Sequence, residues 1–295
     1  MLITVFTPTY NRAYIIKQLY DSLCRQTSQD FEWLIVDDGS TDNTKELIST
    51  FISEGKISIR YFWQKNGGKH SAINLGVNEA KGVWFFIVDS DDYVTNDAIE
   101  KIEEESKVIE YDDRFCGVSG RRQRPDGSII GNKQANRVID ATSSNFSYVI
   151  NSEVYDRTEI FKTAILKKYP FPIVEGENFV AESIVWSRLS NDGYLLHFVD
   201  EVYIVCEYRE DGLSKVSVRN RHKCPILTTL LYSELAVSRI PFKYRFKALV
   251  NYWRFSFSKK ERRERKRIEK VSILLSIVTF LLGYILYRKD KWHFL

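Results

Sequence analysis

Four short apolar segments in the first ninety residues alternate with segments of helical periodicity. The apolar segments predict β-strands near residues 2–7, 31–37, 57–63 and 83–89. The segments that follow them predict helices near residues 13–27, 42–54, 69–80 and 95–108. The last of the four strands is apolar on both faces, which is typical of a strand buried within a parallel sheet. The alternation therefore predicts a doubly wound α/β sheet.

The pattern becomes less regular in the second half of the chain. Residues 121–130 contain Pro-Asp-Gly and predict a hairpin turn. Residues 154–168 predict a short strand or loop followed by a helix, and residues 179–190 predict a helix. Two further strands are expected at 194–199 and 201–208.

The C-terminal part is basic and then strongly apolar. Residues 259–270 hold eight basic and three acidic residues, a balance of +5, whereas the whole chain has a net charge of +4. Residues 271–287 then carry no charge, and as a helix they would measure about 26 Å, less than the ~30 Å of a hydrocarbon core. A crossing helix and an interfacial helix both stay open, and a buried helix or an oligomer contact is the alternative.

The basic run changes the interpretation of this tail. Each cation close to an anionic leaflet contributes roughly 1 kcal/mol to binding, so we expect the tail to associate with a membrane. Nucleic-acid binding is disfavoured, because no base-reading motif accompanies the run. The remaining chain is close to neutral, so the basicity is a local property of the tail.

Composition adds little beyond a folded protein. The 295 residues are 44% hydrophobic and 28% charged, as in ordinary globular proteins. The cysteines are too scattered for a metal or redox motif, and we expect free thiols in a reducing compartment; they are Cys24, Cys116, Cys206 and Cys224. Because a strand begins almost at the first residue, we expect no secretory signal.

Candidate chemistry lies where the predicted strands end. Asp89, Asp91 and Asp92 directly follow the buried strand at 83–89, and Asp37 and Asp38 follow the strand before a Gly turn. Parallel strands present their ligand chemistry at their carboxyl ends, and hard oxygen ligands beside a diphosphate suit Mg²⁺ or Mn²⁺. An Asp-rich turn that only caps the next helix is the alternative.

Two other segments strengthen the first interpretation. The first strand breaks at Pro8 and enters a helix soon after Arg12. The pair Gly67-Gly68 lets a backbone approach a ligand closely, and Lys69 supplies charge for an anion.

Together these segments resemble the family 2 glycosyltransferases of GT-A fold. Three motifs of the first hundred or so residues carry the resemblance: Thr7–Arg12, Val36–Asp42 and Asp89–Asp92. It implies a nucleotide-sugar site formed by Pro8, Thr9, Tyr10, Arg12, Asp38, Asn66, Gly68, Lys69, Asp89 and Ser90. It also implies that Asp91 ligates a Mn²⁺ or Mg²⁺ ion on the diphosphate, and that Asp89 reaches the ribose or the metal.

The resemblance also implies a division of the chain. Residues 1–220 would be the GT-A catalytic domain, with a nucleotide-sugar half to about 112 and an acceptor half at about 113–220. Independently of the resemblance, the basic and apolar tail predicts that residues 221–295 are a helical extension that associates with the membrane. Arg209 and the turn at 212–214 resemble a loop that closes near the diphosphate.

The catalytic base is expected in the acceptor half. An inverting transferase needs a carboxylate to take the proton of the acceptor hydroxyl. Relatives place it in an acidic motif at a helix start, often Glu-Asp, and the corresponding pair here is Glu182-Ser183. The resemblance favours Glu182 as the base, with Glu177 as the alternative. A structural interpretation also stays open, in which the negative charge of Glu182 only stabilises the start of its helix. Trp186 would stack on a sugar or belong to the core.

The resemblance implies a metal-dependent inverting transferase, and the tail favours a location at the membrane. It would move a hexose or N-acetylhexosamine from a nucleotide sugar, a UDP-sugar by preference, to a lipid-linked glycan on the cytoplasmic membrane leaflet, in bacterial surface polysaccharide synthesis. The alternatives are a nucleotidyltransferase, which the segment after the first strand disfavours, and a membrane-anchored nucleotide-sugar-binding protein without activity. The oligomeric state is left open, and His222 is expected to be solvated.

Overall fold

A computed structural model describes residues 3–131, 138–150, 157–206, 217–259 and 265–294. Within these ranges nine strands form one mixed sheet in the order β3-β2-β1-β4-β8-β6-β9-β5, with β7 beside β9. The strands are β1 (Ile3–Thr9), β2 (Phe31–Asp37), β3 (Ile59–Trp63), β4 (Trp84–Ile87), β5 (Tyr93–Val94), β6 (Phe115–Gln123), β7 (Val138–Ala141), β8 (Thr158–Lys162) and β9 (Leu195–Val205).

Eleven helices are assigned within the same ranges, and a π-helical turn at Phe146–Ile150 follows α5. They are α1 (Lys17–Cys24), α2 (Thr44–Glu54), α3 (Lys69–Glu79), α4 (Ala98–Ile109), α5 (Ser143–Asn145), α6 (Thr163–Leu166), α7 (Ser183–Asn191), α8 (Ser217–Lys223), α9 (Pro225–Val237), α10 (Phe242–Ser256) and α11 (Ile273–Phe294). The four helices predicted in the first half are present, each somewhat shorter than its periodic segment.

The four predicted N-terminal strands form one parallel block of the sheet, and β6 and β9 pair in parallel elsewhere in it. β1 lies between β2 and β4, and β3 pairs with β2, all in parallel. The second half is different, because β8 runs antiparallel to both β4 and β6. The α/β prediction is therefore confirmed, and the sheet as a whole is mixed rather than purely parallel.

The prediction of two strands at 194–199 and 201–208 is wrong, because Leu195–Val205 is one continuous strand. Two charged residues, Asp200 and Glu201, interrupt the apolar pattern in its middle. Both are satisfied within the fold: Arg121 Nη1 lies 2.6 Å from Asp200 Oδ1, and a lysine of α4 lies 3.2 Å from Glu201 Oε2. Paired charges are tolerated within a strand, so the sequence break does not become a structural one.

The predicted hairpin is confirmed at its turn. Arg124 N donates to Ser128 O over 2.8 Å, and Gly127 N donates to Arg124 O over 2.9 Å. Gly127 has a φ of +82°, a conformation that glycine adopts without steric cost.

Apolar side chains form a cluster on each face of the sheet. One cluster includes Trp33, whose ring stacks with neighbouring aromatic rings of α1 and α2. The other extends from β1 and α7 into the C-terminal helices, where it includes Leu227 and Leu249. Trp186 belongs to this second cluster, with its ring centroid 4.3 Å from that of Phe161. It is a core residue rather than a sugar platform.

None of the helices within the described ranges combines enough length with enough apolar character to cross a lipid bilayer.

A buried carboxylate fixes the start of α9. Glu177 is almost fully buried, and its two oxygens accept hydrogen bonds from Ile226 N (2.8 Å) and Leu227 N (2.7 Å). These are the amides that a helix leaves without intrahelical partners in its first turn. Both carboxylate oxygens of Glu177, the alternative candidate for the base, are therefore used to cap the N-terminus of α9.

We expect Glu177→Ala to lower the free energy of unfolding by about 1–2 kcal/mol, because two amides of α9 lose their acceptor. Urea unfolding followed by circular dichroism measures this change. Glu175→Ala is the matched control, since Glu175 is an exposed glutamate two residues away. An equal effect of the two substitutions would contradict the capping role.

Candidate active site

The loops after β1 and β2 are joined by hydrogen bonds between their motifs. Asn11 N donates to Ser40 Oγ over 2.8 Å, and the Asn11 side chain accepts from Thr41 N over 2.7 Å. Ala13 N donates to a carboxylate oxygen of Asp42 over 3.1 Å. Asn11 has a φ of +54°, a conformation that asparagine tolerates better than most residues. Two motifs that lie thirty residues apart thus form one surface.

Asp38 holds the glycine pair that follows β3. Its carboxylate is buried and accepts from Gly67 N and Gly68 N, both over 2.8 Å. Gln64 Nε2 donates to the same carboxylate over 2.6 Å, and Asn66 Nδ2 donates to the Asp38 carbonyl over 2.9 Å. The predicted site residues Asp38, Asn66 and Gly68 therefore lie together, and Asp38 shapes the glycine loop.

Position 68 requires glycine, both because of its backbone conformation and because Asn178 packs against it. Its φ is +90°, and a Cβ atom at this position would lie only 2.0 Å from the carbonyl oxygen of Asn178. Any side chain here would push the loop away from the segment that leads to α7. The absence of a side chain thus lets the loop after β3 contact the segment before α7.

Lys69 connects these two segments directly. Its Nζ lies 2.5 Å from Asp89 Oδ1 and 2.7 Å from Glu182 Oε1. One ammonium therefore bridges the Asp-rich loop, Asp89–Asp92, and the start of α7. Burial alone would lower the pKa of Lys69, but the two carboxylates outweigh burial and raise it above its ordinary value. Burial would likewise raise the pKa of Asp89, and the Lys69 charge instead lowers it. Lys69 and Asp89 are therefore both charged at neutral pH.

The other two carboxylates of the loop face arginines. Arg12 Nη2 lies 3.9 Å from Asp91 Oδ2, and Gln18 Nε2 donates to the Asp91 carbonyl over 2.7 Å. Asp92 is buried, and Arg122 Nη1 lies 3.5 Å from its Oδ2. Burial and the nearby charge of Asp89 raise the pKa of Asp92 to about 8. Asp92 is thus held mainly as a neutral acid at pH 7.

Arg122 was not predicted as a site residue. The sequence showed only two adjacent arginines before a hairpin, and alternation along a strand sends them to opposite faces of the sheet. Arg122 reaches the Asp-rich loop, whereas its neighbour pairs with Asp200 of β9. The available signal was a basic residue near the carboxyl end of a strand, where ligand chemistry collects.

The remaining predicted residues lie at the ends of β1 and β4. Pro8 is opposite Val36 in the parallel pairing, and Thr9 O accepts from Asp38 N over 2.8 Å. Tyr10 is 48% exposed, so one large aromatic surface faces solvent beside these loops, whereas Ser90 is buried. Arg209 and the turn at 212–214 lie outside the described residues.

Carboxylates of the Asp89–Asp92 loop fit a divalent cation in part. Three carboxylates crowd one turn, and burial together with the negative charges of Asp89 and Asp91 raises the pKa of Asp92. In the described part of the chain, however, no group of three or more His, Cys, Asp or Glu side chains converges to hold a metal by itself. This donor set suits Mg²⁺ or Mn²⁺ held by one or two carboxylates together with phosphate oxygens and water.

His222 differs from its prediction. It is buried, not solvated, and its ring nitrogens lie 2.7 Å from Ser258 Oγ and 2.8 Å from Asp290 Oδ2. The local sequence is basic, but the carboxylate that pairs with this ring comes from α11, sixty-eight residues later.

Residues 4–166 match the sequence family described as glycosyl transferase family 2. This chain is a family 2 glycosyltransferase. It is 33% identical over 138 residues to the uncharacterized glycosyltransferase EpsJ of Bacillus subtilis, a match that covers 47% of this chain and 40% of EpsJ. The chain thus spans less than half the length of that relative.

Solved structures support the GT-A fold of this glycosyltransferase. It superposes on S. aureus TarS 1–349 in complex with UDP-GlcNAc with a TM-score of 0.64 at 20% identity, covering 96% of this chain and 81% of the other. It superposes on the mannosyltransferase PcManGT of Pyrobaculum calidifontis, in complex with GDP-Man and Mn²⁺, with a TM-score of 0.59 at 16% identity, covering 98% and 87%. The predicted family and the GT-A fold are confirmed.

We expect Asp92→Asn to change how the stability of this glycosyltransferase depends on pH. Because the fold raises the pKa of Asp92 to about 8, the folded state holds a proton that the unfolded chain loses above about pH 4. Wild-type stability should therefore decrease as the pH rises from about 4 to 8, and this contribution to the slope should vanish in the variant.

At about pH 7 the Asp92→Asn variant should exceed the wild type by about 1 kcal/mol or more in free energy of unfolding, and near pH 4 the two should agree. Urea unfolding of metal-free protein at several pH values measures the difference. A difference that stays constant over this range would contradict the raised pKa.

Proposed function

We propose that this glycosyltransferase transfers a single hexose or N-acetylhexosamine from a UDP-sugar to a lipid-linked glycan, with inversion at the anomeric carbon. The observation that carries the proposal is the Lys69 bridge, which sets Glu182 beside the Asp-rich loop. A nucleotide sugar bound along that loop would have its anomeric carbon close to a carboxylate from the acceptor half. The UDP-GlcNAc in the TarS structure supports the choice of a uridine nucleotide.

Glu182 would act as the general base. Its carboxylate takes the proton of the acceptor hydroxyl while that oxygen forms a bond to the anomeric carbon, and the bond to the diphosphate breaks with its electron pair. The ion pair with Lys69 fixes the direction of this carboxylate. No covalent enzyme intermediate is required for a single displacement.

Positive charge would stabilise the departing diphosphate. Asp91, with Asp89, would hold a Mn²⁺ or Mg²⁺ ion, which neutralises the charge that develops on the phosphate oxygens. The Mn²⁺ in the PcManGT structure supports such an ion. Lys69 and Arg12 add fixed cationic groups beside the same loop. Charges held in place before the reaction need no reorganisation while it proceeds.

The acceptor would be a glycan on a lipid carrier at the cytoplasmic face of the cell membrane, as in bacterial surface polysaccharide synthesis. Support comes from the C-terminal sequence, where a run with a balance of +5 precedes seventeen uncharged residues. A segment that holds the enzyme at the membrane raises the effective concentration of a membrane-bound acceptor.

We expect Glu182→Gln to lower kcat by about 10²–10⁴-fold, because glutamine cannot accept the proton. Donor affinity should change little, since the amide oxygen still accepts a hydrogen bond from Lys69. Turnover is measured with radiolabelled UDP-sugars and donor affinity by calorimetry. Glu175→Gln, an exposed glutamate near by, is the control. Normal turnover by Glu182→Gln would contradict the assignment of Glu182 as the base. If the wild type and the variant both bind donor but neither turns it over, the chain is a donor-binding protein without activity.

We expect Asp91→Ala to abolish the part of donor affinity that depends on a divalent cation, because the proposed metal ligand is lost. UDP binding is titrated with Mn²⁺, with Mg²⁺ and with a chelator. Asp21→Ala, which removes a surface carboxylate of α1, should leave the metal dependence intact. UDP affinity that is identical with Mn²⁺ and with chelator in the wild type would overturn the metal assignment.

A further inference from the structure

Helix α11 buries small or polar residues and exposes large apolar ones, the reverse of a surface helix in water. The positions that it buries are small or polar: Ser276, Thr279, Gly283 and Asp290. The side chains that it exposes are large and aliphatic, with Leu274 75% exposed, Leu281 56% and Ile285 61%. A surface helix of a soluble protein normally turns its apolar stripe to the core and its polar residues to solvent.

The two faces lie on opposite sides of the helix. At 100° per residue, the exposed residues Leu274, Ile277, Leu281 and Ile285 form one stripe, spaced three and four residues apart. The buried small residues form the stripe opposite. We call the exposed stripe, Leu274, Ile277, Leu281 and Ile285, the lipid face.

Small residues bring α11 very close to α10. A Cβ atom on Gly283 would lie 2.6 Å from Trp253 Cβ and 2.8 Å from Arg254 N, so only glycine permits this approach. Phe257 of the same region packs its ring against those of Phe280 and Tyr284, with centroids 5.2 Å apart in both pairs. Close packing through small residues is characteristic of helix pairs in membranes.

Polar contacts fix the far end of α11. Asp290 accepts from Arg254 Nε (2.5 Å) and Nη2 (2.7 Å), and its Oδ2 also lies 2.8 Å from His222 Nε2. This cluster is buried between α8, α10 and α11. Rotating the lipid face toward the protein would separate the carboxylate of Asp290 from these partners, which is costly for a buried charge. The apolar stripe is therefore held outward.

Exposed cations flank the lipid face at both ends. Lys266, Arg267 and Lys270 precede α11, and Arg288 and Lys289 follow the apolar segment. Basic residues around an apolar helix face match an anionic lipid surface, where the cations meet headgroups and the apolar side chains enter the acyl boundary. A second copy of the chain would instead bring the same cations together.

We infer that the lipid face docks α11 flat on the surface of an anionic bilayer, with the helix axis in the membrane plane. Because α10 is fixed alongside α11, an upright orientation would carry the exposed Lys243 and Lys247 of α10 into hydrocarbon. The inference deepens the proposed function and rests on its membrane-bound acceptor. The enzyme would thereby face the headgroup region in one orientation.

Vesicle sedimentation of the full chain tests the surface. Wild-type protein should bind vesicles of phosphatidylglycerol and phosphatidylcholine, less tightly in high salt, and bind poorly to phosphatidylcholine alone. The double variant Leu281→Asn, Ile285→Asn should lose about a hundredfold in partitioning. The control pair Ile52→Asn, Val108→Asn removes exposed apolar residues from α2 and α4 and should bind as the wild type does.

Equal binding by the two double variants would overturn the proposal. So would a wild-type dimer in sedimentation velocity without lipid that Leu281→Asn, Ile285→Asn converts to a monomer, because a second copy would then occupy the face. Binding and hydrolysis of UDP-sugar in detergent separate this result from the proposed function. Those activities should persist in the lipid-face variant. If the wild type itself neither binds nor hydrolyses UDP-sugar in detergent, the result counts against the proposed transferase activity and not against the membrane-docking surface.

Nitroxide labels test the orientation. In a Cys24→Ser background, which removes the one native thiol in the chain that is not buried, labels are placed at residue 274 or 285 through Leu274→Cys or Ile285→Cys. The two positions are separated by about 16 Å along the helix axis. Equal depths from accessibility to oxygen and to a nickel chelate support an in-plane helix. Depths that differ by about 16 Å would show an upright helix and overturn the inference.

Discussion

The candidate active site depends on one ammonium group placed between two carboxylates. Asp89 and Glu182 come from loops ninety-three residues apart, and their negative charges would repel each other without a cation between them. Lys69 lies within 2.7 Å of both, so it converts this repulsion into an attraction that holds the two halves together. The pKa values of Lys69 and Asp89 move apart as a result, which keeps the pair ionised. The charges that we propose to act in glycosyl transfer therefore also stabilise the fold around the site.

The position of Lys69 in turn depends on the residue before it. Gly68 has a left-handed φ and contacts Asn178, and its amide is held by the buried carboxylate of Asp38. Helix α3 begins at Lys69, so these contacts determine where its side chain points. Asp38 thus acts on the site through the backbone of the glycine pair, in addition to any contact with the nucleotide that the family resemblance implies.

The sequence predicted features that depend on local pattern and failed where distant residues decide. Buried parallel strands are recognisable because both of their faces are apolar, and the structure brings the motifs at their ends together. The sequence did not predict that β9 is one continuous strand, because the charge of Asp200 is neutralised by Arg121 from another strand. Arg122 was missed for the same reason, since its partner Asp92 lies thirty residues earlier. The burial of His222 depends on Asp290, which no local pattern connects with it.

One apolar cluster connects the C-terminal helices with α7, the helix that begins at the candidate site. The apolar cluster that contains Trp186 of α7 continues through Leu227 of α9 and Leu249 of α10. Glu182 stands at the start of α7, and α10 is the helix against which α11 packs. A membrane contact through α11 would therefore fix the position of the Glu182 carboxylate relative to the lipid surface through well-packed helices rather than through a flexible linker. Such a link limits the acceptors that reach Glu182 to hydroxyls at one height above the bilayer, so the position of the helix would contribute to acceptor selection.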